Sequence, residues 1–351
     1  MSSSDRPIPL VDYLYELPRD LIAHAPAEPR DSSRLMHVRR DGGAPSHHRF
    51  RELAELLRDD DLLVTNETQV IPARLRLHKT TGGRVEVLLL RPVDGAIADA
   101  TIWEGIGRPG EAFVPGRQLV ASDGSALTVV DKIGRAVRVQ AEEPILQLAQ
   151  RVGEVPLPPY IDRPSGPDHR DRSDYQAVFA REPGSAAAPT ASLHFTPELL
   201  ERLKTMGIMR TSLVLHVGLG TFLPIDDGHA DDVRAQSLHA EWFSIPASTV
   251  EQVHAARTEG RRVVAVGSTV VRALETLAAT GRSEGETDLY IYPGRRFGAV
   301  DAMITNFHLP GTTLLLMVAA FAGPDVMRSA YKLAVAERYR FFSFGDAMLI
   351  D

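Results

Sequence analysis

A histidine set just before a helix start is a natural proton carrier, and Gly184 to Thr196 (GSAAAPTASLHFT) supplies one in His194. The small side chains from Ser185 to Ala188 let the backbone come close to a ligand or a neighbouring strand, and Pro189 keeps the run from continuing as an ordinary helix. Thr196-Pro197-Glu198 reads as a helix start, with Thr196 as N-cap and Pro197 at the first helical position. His194 is then placed to touch a bound anion or act as a base, or else it bonds a carbonyl within a tight turn.

Further stretches carry glycine and polar residues after apolar runs: His216 to Thr221 (HVGLGT), Gly267 to Arg272 (GSTVVR) and Thr305 to His308 (TNFH). Gly267-Ser268-Thr269 feeding a helix offers free backbone amides and a positive dipole end suited to a carboxylate or phosphate, the plain alternative being a capped helix. Gly218-x-Gly220 lacks the third glycine of a dinucleotide fingerprint, and no Walker loop is present. His47-His48 reads as a loop and His239-x-Glu241 has no third spaced ligand, so no metal site is expected. Near the C-terminus, Arg340 and Asp346 keep aromatic company; either they pair with each other or Asp346 orients a ligand.

These stretches require strands to end where they begin. Leu35–Val38, Asp61–Asn66, Thr211–Val217, Val263–Val266, Leu289–Tyr292 and Val300–Ile304 read as strands, and they alternate with helices over Phe50–Leu57, Leu199–Met206, Val270–Ala279, Leu314–Phe321 and Arg328–Tyr339. The polar run Glu28 to Arg34 at the first strand's entrance suggests a buried polar network. The expected class is α/β, a mostly parallel sheet with helices on both faces, whose strand ends converge on one crevice. From Ile71 to about Gln140 the texture changes to alternating short strands punctuated by Gly82-Gly83, Asp94-Gly95, Pro115-Gly116 and Asp123-Gly124. That is the pattern of a small antiparallel β-barrel. The expected domains are a discontinuous α/β catalytic domain over 1–70 and 151–351 and an inserted barrel over 71–150, with Asp162–Asp174 as a polar loop.

Composition sets the limits. With 351 residues the chain exceeds a usual single core, and 44% hydrophobic with 24% charged residues is ordinary for a globular protein. No apolar run reaches membrane-spanning length, and the start MSSSDRPIPL has no charged-then-apolar leader pattern, so a cytoplasmic protein without membrane association is expected. The absence of cysteine removes disulfides and thiolate catalysis. A formal charge of −7 argues against indiscriminate nucleic-acid binding while allowing a local basic face.

Taken together, the motifs resemble the S-adenosylmethionine:tRNA ribosyltransferase-isomerase family of queuosine biosynthesis nearly end to end. The resemblance is carried by Glu28-Pro29-Arg30-Asp31-x-Ser33-Arg34-Leu35, Val70-Ile71-Pro72-Ala73-Arg74-Leu75 and Val155-Pro156-Leu157-Pro158-Pro159-Tyr160-Ile161. It continues through Gly184-Ser185-x-Ala187-Ala188-Pro189-Thr190-Ala191, Leu193-His194-Phe195-Thr196 and Leu215-His216-Val217-Gly218-Leu219-Gly220-Thr221-Phe222. Ala265-Val266-Gly267-Ser268-Thr269, Ile304-Thr305-Asn306-Phe307-His308-Leu309-Pro310 and the run from Tyr339 to Ile350 complete it. The resemblance implies transfer of the ribosyl group of S-adenosylmethionine to the aminomethyl group of a 7-deazaguanine in tRNA. Isomerisation to an epoxycyclopentanediol follows, with release of adenine and methionine. S-adenosylmethionine is a co-substrate, and no prosthetic group is implied.

Such a reaction needs a base for the proton next to the sulfonium, and His194, His216 and His239 are the catalytic candidates, with the choice of base open. Expected donor or substrate contacts are Arg30, Asp31, Arg34, Asn66, Arg74, Ser185, Pro189, Thr190, Gly218, Gly220, Thr221, Ser268, Thr269, Arg272, Asn306, His308 and Asp346. The chain departs from the family pattern at Gln69 and Asp174, where arginines are usual, at Gln236 in place of a histidine, and at Ser192 and Leu77 in place of glycines. Those changes fall on acceptor recognition more than on the donor motifs. A paralogue using a small free acceptor, and a nucleoside-binding protein without catalysis, are therefore the rival readings; a monomer is the expected state.

Overall fold

The computed structural model describes residues 6–161, 163, 166, 168–218 and 225–351. In chain order the first elements are β1 (Arg34–Val38), β2 (Ser46–Arg49), α1 (Leu53–Leu56), β3 (Leu62–Asn66) and β4 (Thr68–Val70). Short strands follow: β5 (Arg74–Lys79), β6 (Arg84–Pro92), β7 (Ile102–Arg108), β8 (Gln118–Val120), β9 (Ala126–Ile133) and β10 (Ala136–Ala141). Then come α2 (Ile145–Val152), β11 (Gly153–Glu154), α3 (Asp171–Asp174), β12 (Glu182–Ser185), α4 (Pro197–Thr205), β13 (Met209–Leu215), β14 (Glu241–Ser244) and α5 (Ala247–Thr258). The chain closes with β15 (Val263–Val266), α6 (Ser268–Thr280), β16 (Glu284–Thr287), β17 (Ala302–Asn306), α7 (Thr313–Ala322), α8 (Pro324–Ala336) and β18 (Ala347–Ile350).

Two compact units share the chain: Met1–Glu67, Ala177–Phe179 and Pro189–Asp351 form one, Thr68–Gln176 and Ala180–Ala188 the other. The strand pairs β11–β5 and β12–β4 attach segments beyond residue 150 to the second unit.

The first unit is built on a mixed sheet in the order β16-β14-β13-β3-β15-β17-β18-β1-β2. Its centre, β13-β3-β15-β17, is parallel throughout, and antiparallel strands flank it. Every residue of β3, β15 and β17 is buried, which explains why their sequences are nearly unbroken apolar runs rather than alternating ones. Helices α4, α5 and α6 pack against the central strands, and α7 packs on α8. Among the described residues no single helix is long and apolar enough to cross a membrane.

In the second unit, β5-β6-β7-β10-β9-β8 runs antiparallel and closes through β8–β5, giving the expected barrel. Inward alternation is regular: Leu75 and Leu77, Val85, Val87 and Leu89, and Val137 and Val139 are buried. Part of the loop expected over 162–174 is ordered by Asp171, a buried carboxylate held by the Arg163 guanidinium at 2.8 Å; residues 162, 164, 165 and 167 lie outside the described residues.

Several elements differ from the sequence expectation, each for a visible reason. Leu289–Tyr292 is not a strand; β16 lies earlier, at an edge, and the Leu289 carbonyl accepts from Arg272 Nε instead. Val300 does not begin β17 because Glu275 takes the amides of Gly298, Ala299 and Val300 with its carboxylate. His47-His48 is not a loop: both residues lie in β2, with His47 opposite Met36 of β1.

Candidate active site

Parallel strands in one sheet end on the same side, and here their registers align. Leu213 of β13 pairs with Asn66 of β3, and Val64 with Ala265 of β15. Val266 in turn pairs with Ile304 of β17. Asn66, Gly267 and Thr305 therefore stand at nearly the same height on the carboxyl edge, where open α/β sheets bind ligands. The Thr190–His194 turn packs beside β17, and a Cβ placed on Gly267 would meet Ala191 Cβ at 3.6 Å.

His194 is the centre of this edge. Its Nδ1 lies 2.8 Å from Ser33 Oγ, and its ring stacks on Phe50 with centroids 4.8 Å apart. The Phe50 amide donates to the Ser33 carbonyl, so one serine fixes the imidazole edge and the ring beneath it. Asn306, at the end of β17, donates its Nδ2 to the carbonyls of Phe342 (2.9 Å) and Ser343 (3.2 Å). Among the described residues neither His194 Nε2 nor Asn306 Oδ1, both buried, makes a hydrogen bond of full geometry, while the Asn306 side chain still bears on the His194 ring. Buried polar atoms left in this way are rare in native proteins. Burial, with the positive charge of Arg340 and then Arg30 adding to it and Asn306 opposing it, lowers the His194 pKa to about 3. The imidazole is therefore neutral through the physiological range.

The remaining candidates divide between this cluster and other places. Asp31 Oδ2 receives Thr196 Oγ1 at 3.4 Å, and the same hydroxyl accepts from the Leu199 amide as the helix cap expected for α4. Asp346 is buried and accepts the amides of Arg34 (2.9 Å) and Arg340 (2.8 Å), the pairing alternative stated above. Arg34 lies over the Tyr339 ring at 3.6 Å. Asn66 makes a reciprocal pair with the Leu215 backbone and donates to Thr269 Oγ1 at 3.3 Å. Thr269 and Ser268 open α6 behind Gly267, whose φ of 92° suits glycine. Pro189 is buried, Thr190 half-buried, and His308, two residues past Asn306, is buried with Nε2 at 2.9 Å from Thr305 Oγ1.

His216 stands elsewhere: half-buried just past β13, it stacks on Trp242 at 5.2 Å, and burial lowers its pKa to about 4. His216 follows β13, whereas the turn carrying His194 packs beside β17, three strand steps along the sheet. His239 is exposed ahead of β14. Arg272 is buried in an ion pair with Glu241 and donates to the Thr287 and Leu289 carbonyls, while Glu241 also accepts the Gly218 amide at 2.7 Å. Gly220 and Thr221 lie outside the described residues. In the second unit, Arg74 donates to the Leu157 carbonyl at 3.0 Å and Ser185 to the Ala187 carbonyl at 2.7 Å. Ser33 and Phe50 escaped sequence reasoning; the serine lay within a recognised motif, but nothing local signals a partner 161 residues away.

Known proteins resemble the chain over nearly its full length. The chain is 48% identical over 336 residues to the S-adenosylmethionine:tRNA ribosyltransferase-isomerase of Rubrobacter xylanophilus, covering 96% of each chain. It is 49% identical over 350 residues to the protein of that name from Symbiobacterium thermophilum, covering 97% of this chain and 99% of the relative. The crystal structure of S-adenosylmethionine tRNA ribosyltransferase from Thermotoga maritima is similar with a TM-score of 0.56 at 38% identity, over 97% of this chain and 100% of that one. The model of the family described as queuosine biosynthesis protein matches residues 10–350, and with these relatives it shows that the chain belongs to that family.

Proposed function

We propose that the protein transfers the ribosyl group of S-adenosylmethionine to the aminomethyl group of a 7-deazaguanine base in tRNA and isomerises it to an epoxycyclopentanediol, releasing adenine and methionine. The observation that carries the mechanism is the buried His194 imidazole at the carboxyl edge, held at Nδ1 by Ser33 and biased by the Asn306 side chain. His194 keeps an imidazole lone pair for the proton beside the sulfonium, whose electrons remain on carbon next to the positive sulfur; the burial that keeps the ring neutral also weakens it as a base, so its neighbours must stabilise the protonated form. The N-terminus of α6 at Gly267-Ser268-Thr269 offers its amides and dipole to the carboxylate of the donor. Asn66, tied to Thr269, keeps β3 and α6 in register behind it. The protein works in the cytoplasm as a monomer, which sedimentation at working concentration checks.

The test is adenine release from labelled donor in the presence of tRNA carrying the aminomethyl base. His194→Ala should lower kcat by about 10²-fold or more while the thermal unfolding midpoint stays near that of the parent. Unchanged turnover would remove His194 from the mechanism, and release only with the free base would remove tRNA as acceptor. Binding of tRNA should weaken steeply with added salt, because phosphate contacts release counterions.

A further inference from the structure

A base that is buried must hold its proton once it has taken it, and an imidazolium carries two N–H donors where the neutral ring carries one. Two acceptors bear on the His194 ring. Ser33 Oγ lies 2.8 Å from Nδ1, in a residue that is 2% exposed. The second group acting on the ring is Asn306, whose amide orientation is fixed: a group donating to the Phe342 and Ser343 carbonyls must do so through its NH₂, which leaves Oδ1 as the acceptor. Among the described residues that Oδ1 makes no hydrogen bond of full geometry, and the Asn306 side chain favours the protonated His194 ring.

The backbone behind Asn306 is held in an uncommon state. Phe342 has φ 76°, a left-handed conformation that aromatic residues seldom adopt. Its amide donates to the Phe307 carbonyl and its own carbonyl accepts from both Gly345 N and Asn306 Nδ2. A Cβ on Gly345 would fall 2.5 Å from the Phe341 carbonyl carbon, so the turn tolerates no side chain there. Strain maintained in this way is a mark of functional placement.

We propose that Ser33 and Asn306 are positioning residues that accept the two N–H groups of the His194 imidazolium formed during the reaction. This rests on His194 being the base. At rest, Nδ1–H donates to Ser33 Oγ and Nε2 faces the substrate with its lone pair. When the proton leaves the carbon beside the sulfonium it arrives on Nε2, the electron pair stays on that carbon, and the new N–H finds Asn306 Oδ1. A hydroxyl suits position 33 because it can rotate and accept without adding a charge. Among the described residues the charged groups acting on the ring are Arg340 and Arg30; Arg340 also approaches the Asp346 carboxylate at 3.4 Å, and Asp31 lies against Thr196.

The experiment combines kinetics with a direct reading of the ring. In the wild-type protein labelled with ¹⁵N-histidine, assigned by loss of the signal in His194→Gln, His194 at neutral pH should carry its proton on Nδ1. Ser33→Ala should lower kcat for adenine release by about tenfold or more, with the KM for S-adenosylmethionine within about twofold, and should lower the Nδ1–H population. Ser33→Thr, which restores a hydroxyl, should recover most of kcat. A wild-type ring protonated on Nε2, or Ser33→Ala with unchanged kcat, or no recovery in Ser33→Thr, would overturn the inference. If Ser33→Ala does not fold, the wild-type ring reading decides alone. The base reading fails separately: it falls if His194→Ala keeps turnover, whereas a dead His194→Ala beside an active Ser33→Ala sinks only the role of Ser33.

Discussion

Arg272 shows how far a side chain's chemistry depends on its partners. Its residue type and its place one turn into α6 suggest an anion contact, yet the guanidinium is 1% exposed and bonds Glu241 and the carbonyls of Thr287 and Leu289. It ties α6 to β14 and to the β16 edge, and through Glu241 it reaches the amide of Gly218. Breaking such a pair from one side leaves a buried charge uncompensated. Glu241→Gln should therefore cost about 3–5 kcal/mol, measured by urea unfolding; a loss within experimental error would show the guanidinium to be solvated after all. The motif around Arg272 was readable in the sequence and the ion pair was not, because Glu241 sits 31 residues earlier in a run that departs from the family pattern. The same holds for Ser33 and His194, whose types and motifs are evident while their contact exists only once the sheet has brought β1 beside β18 and the Thr190–His194 turn beside β17.

At the scale of elements, the carboxyl edge depends on where each helix begins. α6 starts from Gly267, at φ 92°, and no backbone atom crowds the position: the nearest contact of an added Cβ would be an ordinary 3.6 Å to Ala191. Gly267→Ala should thus be penalised by conformation rather than collision, at about 1–3 kcal/mol, and should weaken donor binding by disturbing the α6 N-terminus; calorimetric titration with S-adenosylmethionine reads the second effect, and unchanged affinity would detach α6 from the donor. β18 makes a contrasting case. Leu349 is fully buried between β17 and β1, so Leu349→Ala should cost about 2–5 kcal/mol in unfolding free energy. The parallel centre of the sheet was legible because strands covered on both faces are written as continuous apolar runs, and the barrel was legible from its turn dipeptides and alternation. β18 was not: Ala347-Met348-Leu349-Ile350 is too short to show a period and follows an aromatic, polar stretch. β16 was misplaced because an edge strand reading Glu-Gly-Glu-Thr has no apolar signature, and its identity comes from pairing with β14.

For the whole molecule, the buried histidines and the Asp351 side chain make stability depend on pH in one direction. Burial lowers His194 and His308 to about 3 and His216 to about 4 from 6.5, so each is neutral when folded at pH values where the unfolded chain would be protonated. The unfolded state then binds more protons, and stability must rise with pH across that window. The stabilisation is complete above about 6.5 and is lost as pH falls toward 3 or 4. Asp351 acts in the same sense at lower pH: its bond to His37, with the Arg262 pair assisting against burial, lowers it to about 2 from 3.8, so its contribution is present above 3.8 and disappears as pH falls toward 2. Each buried histidine adds a slope of about 1 kcal/mol per pH unit within its window. His308 is the cleanest one to remove, since its ring touches Thr305 rather than the His194 cluster. In His308→Gln, unfolding free energy measured by urea between pH 6.5 and 4.5 should fall less steeply than in the parent by about that slope, whatever the variant's stability at neutral pH. Equal slopes would mean that His308 takes up its proton in the folded state, and that the Thr305 turn opens to let it.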